Sequence, residues 1–299
     1  METATKMKQI VDTADKCDLL KGKILANVFF EPSTRTRCSF EAAMKRLGGD
    51  VINVSASGSS SKKGETLQDT MRCLACYTDS IVLRHPMKGS AALASKYLDV
   101  PLLNAGDGAG EHPTQALLDL FTIYSELKGY PDGAHVALVG DLKYGRTVHS
   151  LVQVLSRFSG VRLSYVAPDA LQMPDYIEKA VSDVKTSSFY DKFVPATQTK
   201  YSSLDDVLDT VDVMYVTRIQ KERFEKPEEY EKYKGSYIIS KETLQKMKKT
   251  AVIMHPLPRV GEILEEIDSD PRAAYFRQMR NGMFTRMALL ALVNGCFSK

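Results

Sequence analysis

The feature that most constrains this chain is a strand that stops against a helix. Ile24-Leu25-Ala26-Asn27-Val28-Phe29-Phe30 is an apolar run of strand length. Glu31-Pro32 ends it, because proline has no N–H to give a ladder. Ser33 and Thr34 are helix-capping residues, and Phe40, Ala43, Met44 and Leu47 follow at helical spacing. A strand, a tight turn and a helix amino terminus therefore meet. Such a terminus gathers unpaired backbone N–H groups and the positive end of the helix dipole. Ser33, Thr34, Arg35, Thr36 and Arg37 add hydroxyl and guanidinium donors, a set suited to phosphate or another oxyanion. An ordinary capped helix with solvated arginines shows the same local pattern, so the rest of the chain must decide.

The strand–helix alternation repeats. Residues 51–54, 80–83 and 100–104 read as strands, with helices over 66–77, 91–97 and 114–127. That order predicts a parallel sheet, and ligands of open parallel sheets collect outside the carboxyl ends of the strands. Arg84 stands at such an end, where it can pair with an anion or simply face solvent. His112 precedes Pro113, which suits the first turn of a helix, and Gln115 follows. An imidazole there can hydrogen-bond a developing oxyanion. Gly106-Asp107-Gly108-Ala109-Gly110 lacks the spacing of a dinucleotide fingerprint and reads as a turn that sets up His112. Residues 55–65 are rich in Ser and Gly, with Lys62 and Lys63 at the tip, and predict a mobile loop. A linker has this composition too, but paired lysines suit a loop that delivers charge elsewhere.

Lys128 to Gly133 breaks the composition, and 134–139 begins a second sheet. Residues 140–147 come near the phosphate-loop pattern G-x-x-x-x-G-K-[ST], with Arg146 in the lysine place. Arginine does not replace lysine as a point charge, and the strand at 211–216 ends in Thr217 rather than an acid, so a nucleoside triphosphatase is disfavoured. Further strands are expected at 161–166, 189–194 and 251–254, and helices at 175–184, 203–208, 270–279 and 283–293. Arg218 and Gln220 directly follow a strand end; from Gln220 to Lys234 the chain is dense in charge and reads mostly as solvated surface. His255-Pro256-Leu257-Pro258-Arg259 is a stiff loop whose prolines lack N–H groups, leaving carbonyls for an amide or amine.

At 299 residues the chain can hold two domains, each with a core. With 43% apolar and 26% charged residues it reads as globular, and a net charge of +3 is too small to argue for nucleic acid or a membrane. No run has the length of a membrane span and the first residues lack an apolar signal core, so a cytoplasmic location is expected. Five cysteines (Cys17, Cys38, Cys73, Cys76 and Cys296) give no disulfide framework. Cys73-x-x-Cys76 lies in a helical pattern with no second pair, so small apolar residues on a helix are the better reading, and no metal-ligand spacing is present.

Ser33-Thr34-Arg35-Thr36-Arg37 resembles the carbamoyl-phosphate signature of the transcarbamoylases, and Phe30-Glu31-Pro32 resembles their aspartate branch. The resemblance, to the aspartate carbamoyltransferase family, continues in order through 59–65, Arg84-His85-Pro86, His112-Pro113-Thr114-Gln115, 140–150, 217–224 and 255–259. It implies an α/β fold of two doubly wound parallel-sheet domains joined by helices, with the C-terminal helix returning to the first domain. Residues 1–129 would bind carbamoyl phosphate, with 283–299 packing back on them, and 130–282 would bind aspartate. The implied reaction gives N-carbamoyl-L-aspartate and phosphate in pyrimidine biosynthesis.

By the same resemblance, carbamoyl phosphate falls to Ser33, Thr34, Arg35, Thr36, Arg84, His112, Gln115 and the carbonyls of Pro256 and Leu257. Aspartate falls to Lys63, Arg146, Arg218 and Gln220. Arg35, Thr36, His112 and Lys63 are the implied catalytic groups. Ser59 and Lys63 would come from a neighbouring subunit of a homotrimer, and Glu31 would pair with Arg223 on domain closure. No cofactor and no metal are implied, and neither nucleic acid nor membrane as partner; further pyrimidine-pathway domains in a longer chain are compatible with the short leading helix. The chain departs from the family at Gly261, where Asp or Asn is common. Two alternatives stay open: another amino-acid transcarbamoylase, such as the ornithine branch with its Cys-containing loop, and a non-catalytic anion-binding module.

Overall fold

The computed structural model describes residues 1–56, 64–108, 110–188, 190–224 and 226–297. Two compact units emerge. One comprises Met1–Phe121 with the chain from Arg280 onward, the other Thr122–Met279.

The first unit runs α1 (Glu2–Ala14), β1 (Ile24–Phe29), α2 (Thr34–Arg46), β2 (Asp50–Ser55), α3 (Leu67–Ala75), β3 (Ser80–His85), α4 (Ser90–Ser95), β4 (Leu102–Asp107) and the start of α5 (Pro113–Leu127). Its four strands are parallel in the order β2-β1-β3-β4. The central strands β1 and β3 are almost wholly buried, as expected where helices cover both faces, whereas β2 at the edge is largely exposed. Ala26, Val28, Met71, Ile81, Leu83 and Ala94 form one core cluster. Asn27 is the polar exception within β1. Its Nδ2 donates to the Arg37 carbonyl at 3.1 Å and to Asn53 Oδ1 at 3.0 Å, which pins the first turns of α2 to the sheet.

The second unit contains β5 (His135–Val139), α6 (Arg146–Leu155), β6 (Arg162–Val166), α7 (Asp175–Ser182), β7 (Thr197–Tyr201), β8 (Val213–Val216), α8 (Pro227–Tyr233), α9 (Lys241–Lys246) and β9 (Val252–Met254). Its five strands are parallel in the order β7-β6-β5-β8-β9. Two parallel-sheet α/β domains are what the strand–helix alternation predicts. The last helix, α10 (Tyr275–Val293), joins the first unit from Arg280 on, also as expected. There Arg280 pairs with Asp12 at 2.9 Å, and Asn294 Nδ2 donates to Ser80 Oγ at 3.4 Å. Among the described residues no helix is long and apolar enough to cross a membrane.

Three local expectations are corrected. The helices expected at 270–279 and 283–293 are one helix, α10, which begins at Tyr275. Gly282 does not break it; a Cβ at that position would lie 2.8 Å from Arg286 Nη1 and 3.1 Å from Leu118 Cδ2, so glycine serves close packing. No strand forms over 190–194 (Phe189 lies outside the described residues), and the edge strand is β7 instead. Its sequence Thr-Gln-Thr-Lys-Tyr lacks an apolar run because it is mostly exposed. Residues 203–208 form turns rather than a helix.

Candidate active site

In the first unit three chain turns leave the same edge of the sheet. After β1 the chain enters α2 with Ser33 as N-cap, in extended conformation, its side chain making no capping bond. The first-turn amides of a helix have no acceptor within the helix, so this terminus offers donors beyond the end of β1. Thr36 is buried in that turn, whereas Thr34 and Arg35 are exposed.

Arg84 lies next to Phe29 in the β1–β3 register and is 8% exposed. Its Nη2 meets Glu31 Oε2 at 3.1 Å and its Nη1 donates to the Ala105 carbonyl at 3.3 Å. Burial pulls the guanidinium below its ordinary value, Glu31 pulls it back up, and nearby Arg35 adds repulsion. Two arginines crowded at one sheet edge are costly without an anion between them. Gly106 makes the space, since a Cβ there would sit 3.2 Å from Arg84 Nη1.

His112 is buried and its Nε2 lies 3.5 Å from Arg84 Nη1. A guanidinium only donates, so Nε2 is the acceptor there. Asp107 holds the intervening turn, accepting from the Gly89 N–H at 2.8 Å and the Glu111 N–H at 2.7 Å. Gln115, in the first turn of α5, is buried and donates through Nε2 to Asp119 Oδ1 at 2.9 Å. Ser33, Thr34, Arg35, Thr36, Arg84, His112 and Gln115 thus all belong to turns leaving one edge of this sheet. Ser59, Lys62 and Lys63 lie outside the described residues.

In the second unit the turns after β5, β8 and β9 leave neighbouring strands. Arg146 opens α6 and is half-buried, as are Arg218 and Gln220 after β8. Asp141, absent from the sequence-level reading, links the first two turns. It is fully buried, and its carboxylate accepts from the Tyr144 N–H at 3.0 Å and the Gln220 N–H at 3.5 Å. Burial pushes its carboxyl above the ordinary value although these amides oppose the shift. Nothing but its place after a strand could have signalled it. Arg223 ends the short turn Lys221–Arg223 and is exposed.

The turn after β9 has its own brace. His255 Nδ1 accepts from the Leu257 N–H at 2.8 Å, so the ring proton sits on Nε2 and is given to Glu262 Oε1 at 2.7 Å. Glu262 Oε2 accepts from the Val260 N–H at 2.9 Å, and the His255 N–H is given to Gln278 Oε1 at 2.9 Å. Arg259 pairs with Asp268 and reaches the Tyr275 hydroxyl at 3.2 Å. The brace fixes Leu257 at φ 55°, and Pro256 and Leu257 stay half-buried. Gly261 has φ 109° and open space around it, a backbone that glycine accepts more readily than Asp or Asn. Among the described residues no three His, Cys, Asp or Glu side chains are grouped to hold a metal ion.

Residues 1–125 match the family described as aspartate/ornithine carbamoyltransferase, carbamoyl-P binding domain, and residues 132–293 match the corresponding Asp/Orn binding domain. The aspartate carbamoyltransferase catalytic subunit of Methanocaldococcus jannaschii is 53% identical over 97% of this chain and 91% of its own length. The multifunctional protein pyr1-3 of Dictyostelium discoideum is 51% identical over 98% of this chain, which spans only 13% of that protein's length. Among solved structures, the aspartate transcarbamoylase of Trypanosoma cruzi in complex with N-(phosphonacetyl)-L-aspartic acid is 46% identical, with a TM-score of 0.88 over 96% of this chain and 88% of that one.

Proposed function

This chain belongs to the aspartate/ornithine carbamoyltransferase family, and from that premise we propose that it is an aspartate carbamoyltransferase. It moves the carbamoyl group of carbamoyl phosphate to the amino group of L-aspartate, giving N-carbamoyl-L-aspartate and phosphate for pyrimidine synthesis. The observation that carries the reading is the buried Arg84, clamped by Glu31 with His112 at 3.5 Å, beside a helix terminus rich in donors.

Carbamoyl phosphate binds at the α2 terminus, Arg84, His112 and Gln115, and its NH₂ donates to the Pro256 and Leu257 carbonyls. Aspartate places its carboxylates on Arg146, Arg218 and Gln220, where paired N–H groups orient the amine. The deprotonated amine attacks the carbonyl carbon, forming the C–N bond. The tetrahedral oxyanion is held by Arg35, Thr36 and His112; one lost donor of this kind costs about 3 kcal/mol. The C–O bond to phosphate then breaks, and the departing phosphate takes the amine proton. No side chain becomes a covalent nucleophile.

The reading extends to a cytoplasmic homotrimer, in which Ser59 and Lys63 serve the site of a neighbouring subunit. Mixing Lys63→Ala chains with Arg35→Ala chains tests it, since only shared sites let two inactive variants form an active assembly. For the reaction itself, the assay is carbamoyl transfer to aspartate and to ornithine. Product with ornithine alone would remove the aspartate assignment. Binding of carbamoyl phosphate without turnover of either amino acid would favour an anion-binding module.

A further inference from the structure

We propose that Asp119 is a positioning residue that fixes the Gln115 amide with its oxygen as the only group offered to ligand, so that the site selects a carbamoyl NH₂ over a methyl group. The proposal rests on the carbamoyl-phosphate reading above and concerns a residue one turn below it.

Asp119 lies in the middle of α5 and is 0% exposed. Gln115 stands four residues earlier, one helical turn nearer the amino terminus. The 2.9 Å contact from Gln115 Nε2 to Asp119 Oδ1 is not reversible in sense. A carboxylate only accepts, so the NH₂ side of the amide must face Asp119 and the oxygen must turn away. An unassisted glutamine can present either end to a ligand; this one presents an acceptor.

A carboxylate buried so deeply requires a cation, and Arg286 of α10 supplies it. Arg286 is 4% exposed, and its guanidinium lies 5.1 Å over the Phe40 ring while Nη1 donates to Ser39 Oγ at 3.0 Å. Burial pulls its guanidinium down to about 10, with Asp119 opposing the shift, so it stays charged at neutral pH. Ser39 and Phe40 belong to α2. One arginine from the C-terminal helix thus holds α2 through Ser39 and Phe40, and its charge balances Asp119, the residue that orients Gln115.

The chemical consequence is specificity. Carbamoyl phosphate carries two N–H donors, one for the Gln115 oxygen and one shared by the Pro256 and Leu257 carbonyls, where acetyl phosphate, of the same shape and charge, carries a methyl group. A buried acceptor left without a donor rejects the isostere. The test measures dissociation constants for both phosphates, without aspartate, on one sample of each chain, so that a lowered folded fraction cancels in the ratio. Wild type prefers carbamoyl phosphate. Asp119→Asn lets the Gln115 amide turn over, and the preference falls by about tenfold, through weaker carbamoyl phosphate binding. The reciprocal double variant, Gln115→Glu with Asp119→Asn, keeps one donor facing one acceptor and restores the preference, although both phosphates bind more weakly.

An unchanged preference in Asp119→Asn overturns the proposal, as does a preference that stays low in the double variant. Should Asp119→Asn not fold, the double variant decides alone. Wild type that binds neither phosphate removes the parent reading; wild type that binds carbamoyl phosphate with unaltered preference in the variants removes only this inference.

Discussion

The two sheets hold their charges differently. In the first unit Arg84, His112 and Gln115 are 8%, 6% and 7% exposed, and each is tied to a buried partner or to a neighbour in the same group. In the second, Arg146, Arg218 and Gln220 are half-buried on turns held from beneath by Asp141. A buried guanidinium with fixed partners is a preformed seat; a half-buried one stands nearer to solvent, where a ligand can reach it. The contrast suits the chemistry proposed. Carbamoyl phosphate is an activated group that water can consume, so a rigid, dry seat protects it. Aspartate is stable and needs orientation, which side chains on turns supply.

The largest expected effects come from the rigid seat. Arg84→Ala removes a phosphate partner and leaves Glu31 beside it without its cation. Turnover should fall by about 10²–10³, and urea unfolding should show a loss of about 3 kcal/mol. Arg84→Lys should restore little activity, because an ammonium cannot span two partners as the planar guanidinium does. Arg35→Ala should cut turnover as far while leaving the unfolding midpoint in place, since Arg35 is exposed. Equal stability losses in both variants would erase the difference between seat and rim.

Next comes the half-buried set. Arg146→Ala should raise KM for aspartate by about a hundredfold, the worth of a bidentate carboxylate contact. The dissociation constant of carbamoyl phosphate should stay within about twofold. A matching loss for both substrates would mean that the halves do not bind independently.

The same contrast explains what the sequence could and could not reveal. Arg84 was legible because it directly follows the apolar run Ile81-Val82-Leu83 near the end of β3, and strand ends in parallel sheets point to ligands. The α2 terminus was legible from Pro32 and Ser33 alone. Asp119, Asp141 and Glu262 were not, because each acts through one partner brought near by folding: Asp119 by one helical turn, Asp141 by an amide 79 positions away, Glu262 by His255. Single acidic residues carry no periodicity. The continuity of α10 was hidden for a related reason, since the close packing of Gly282 against Leu118 and Arg286 is set by the fold and not by local sequence. Edge strand β7 was hidden by its polar composition.

A smaller effect belongs to the brace below Leu257. Glu262→Gln keeps an oxygen for His255 Nε2 but turns an NH₂ toward the Val260 N–H. The buried mismatch should cost about 1–2 kcal/mol at neutral pH. The dissociation constant of carbamoyl phosphate should rise more than KM for aspartate, because the Leu257 carbonyl accepts from the carbamoyl NH₂ in the proposed site.

The smallest expected effect is a pH dependence, and its sign follows from the same carboxylate. Burial by itself would raise the Glu262 pKa, but the bonds from His255 and the Val260 amide outweigh it and hold the group below its ordinary 4.5. The unfolded chain then binds this proton more readily than the folded one. The brace therefore contributes its full stability above pH 4.5 and loses it as pH falls through the lower, folded value. Urea midpoints of wild type should fall through that window, and Glu262→Gln should lack this part of the fall while remaining less stable above it. Asp79 in the first unit is a control: bonds from Lys23 and the Ile24 amide hold its carboxyl low at the start of β1. Asp79→Asn should flatten the same acid limb without weakening carbamoyl phosphate binding. If both variants weakened carbamoyl phosphate binding alike, acid sensitivity would be a property of the whole molecule rather than of the turn that carries Leu257.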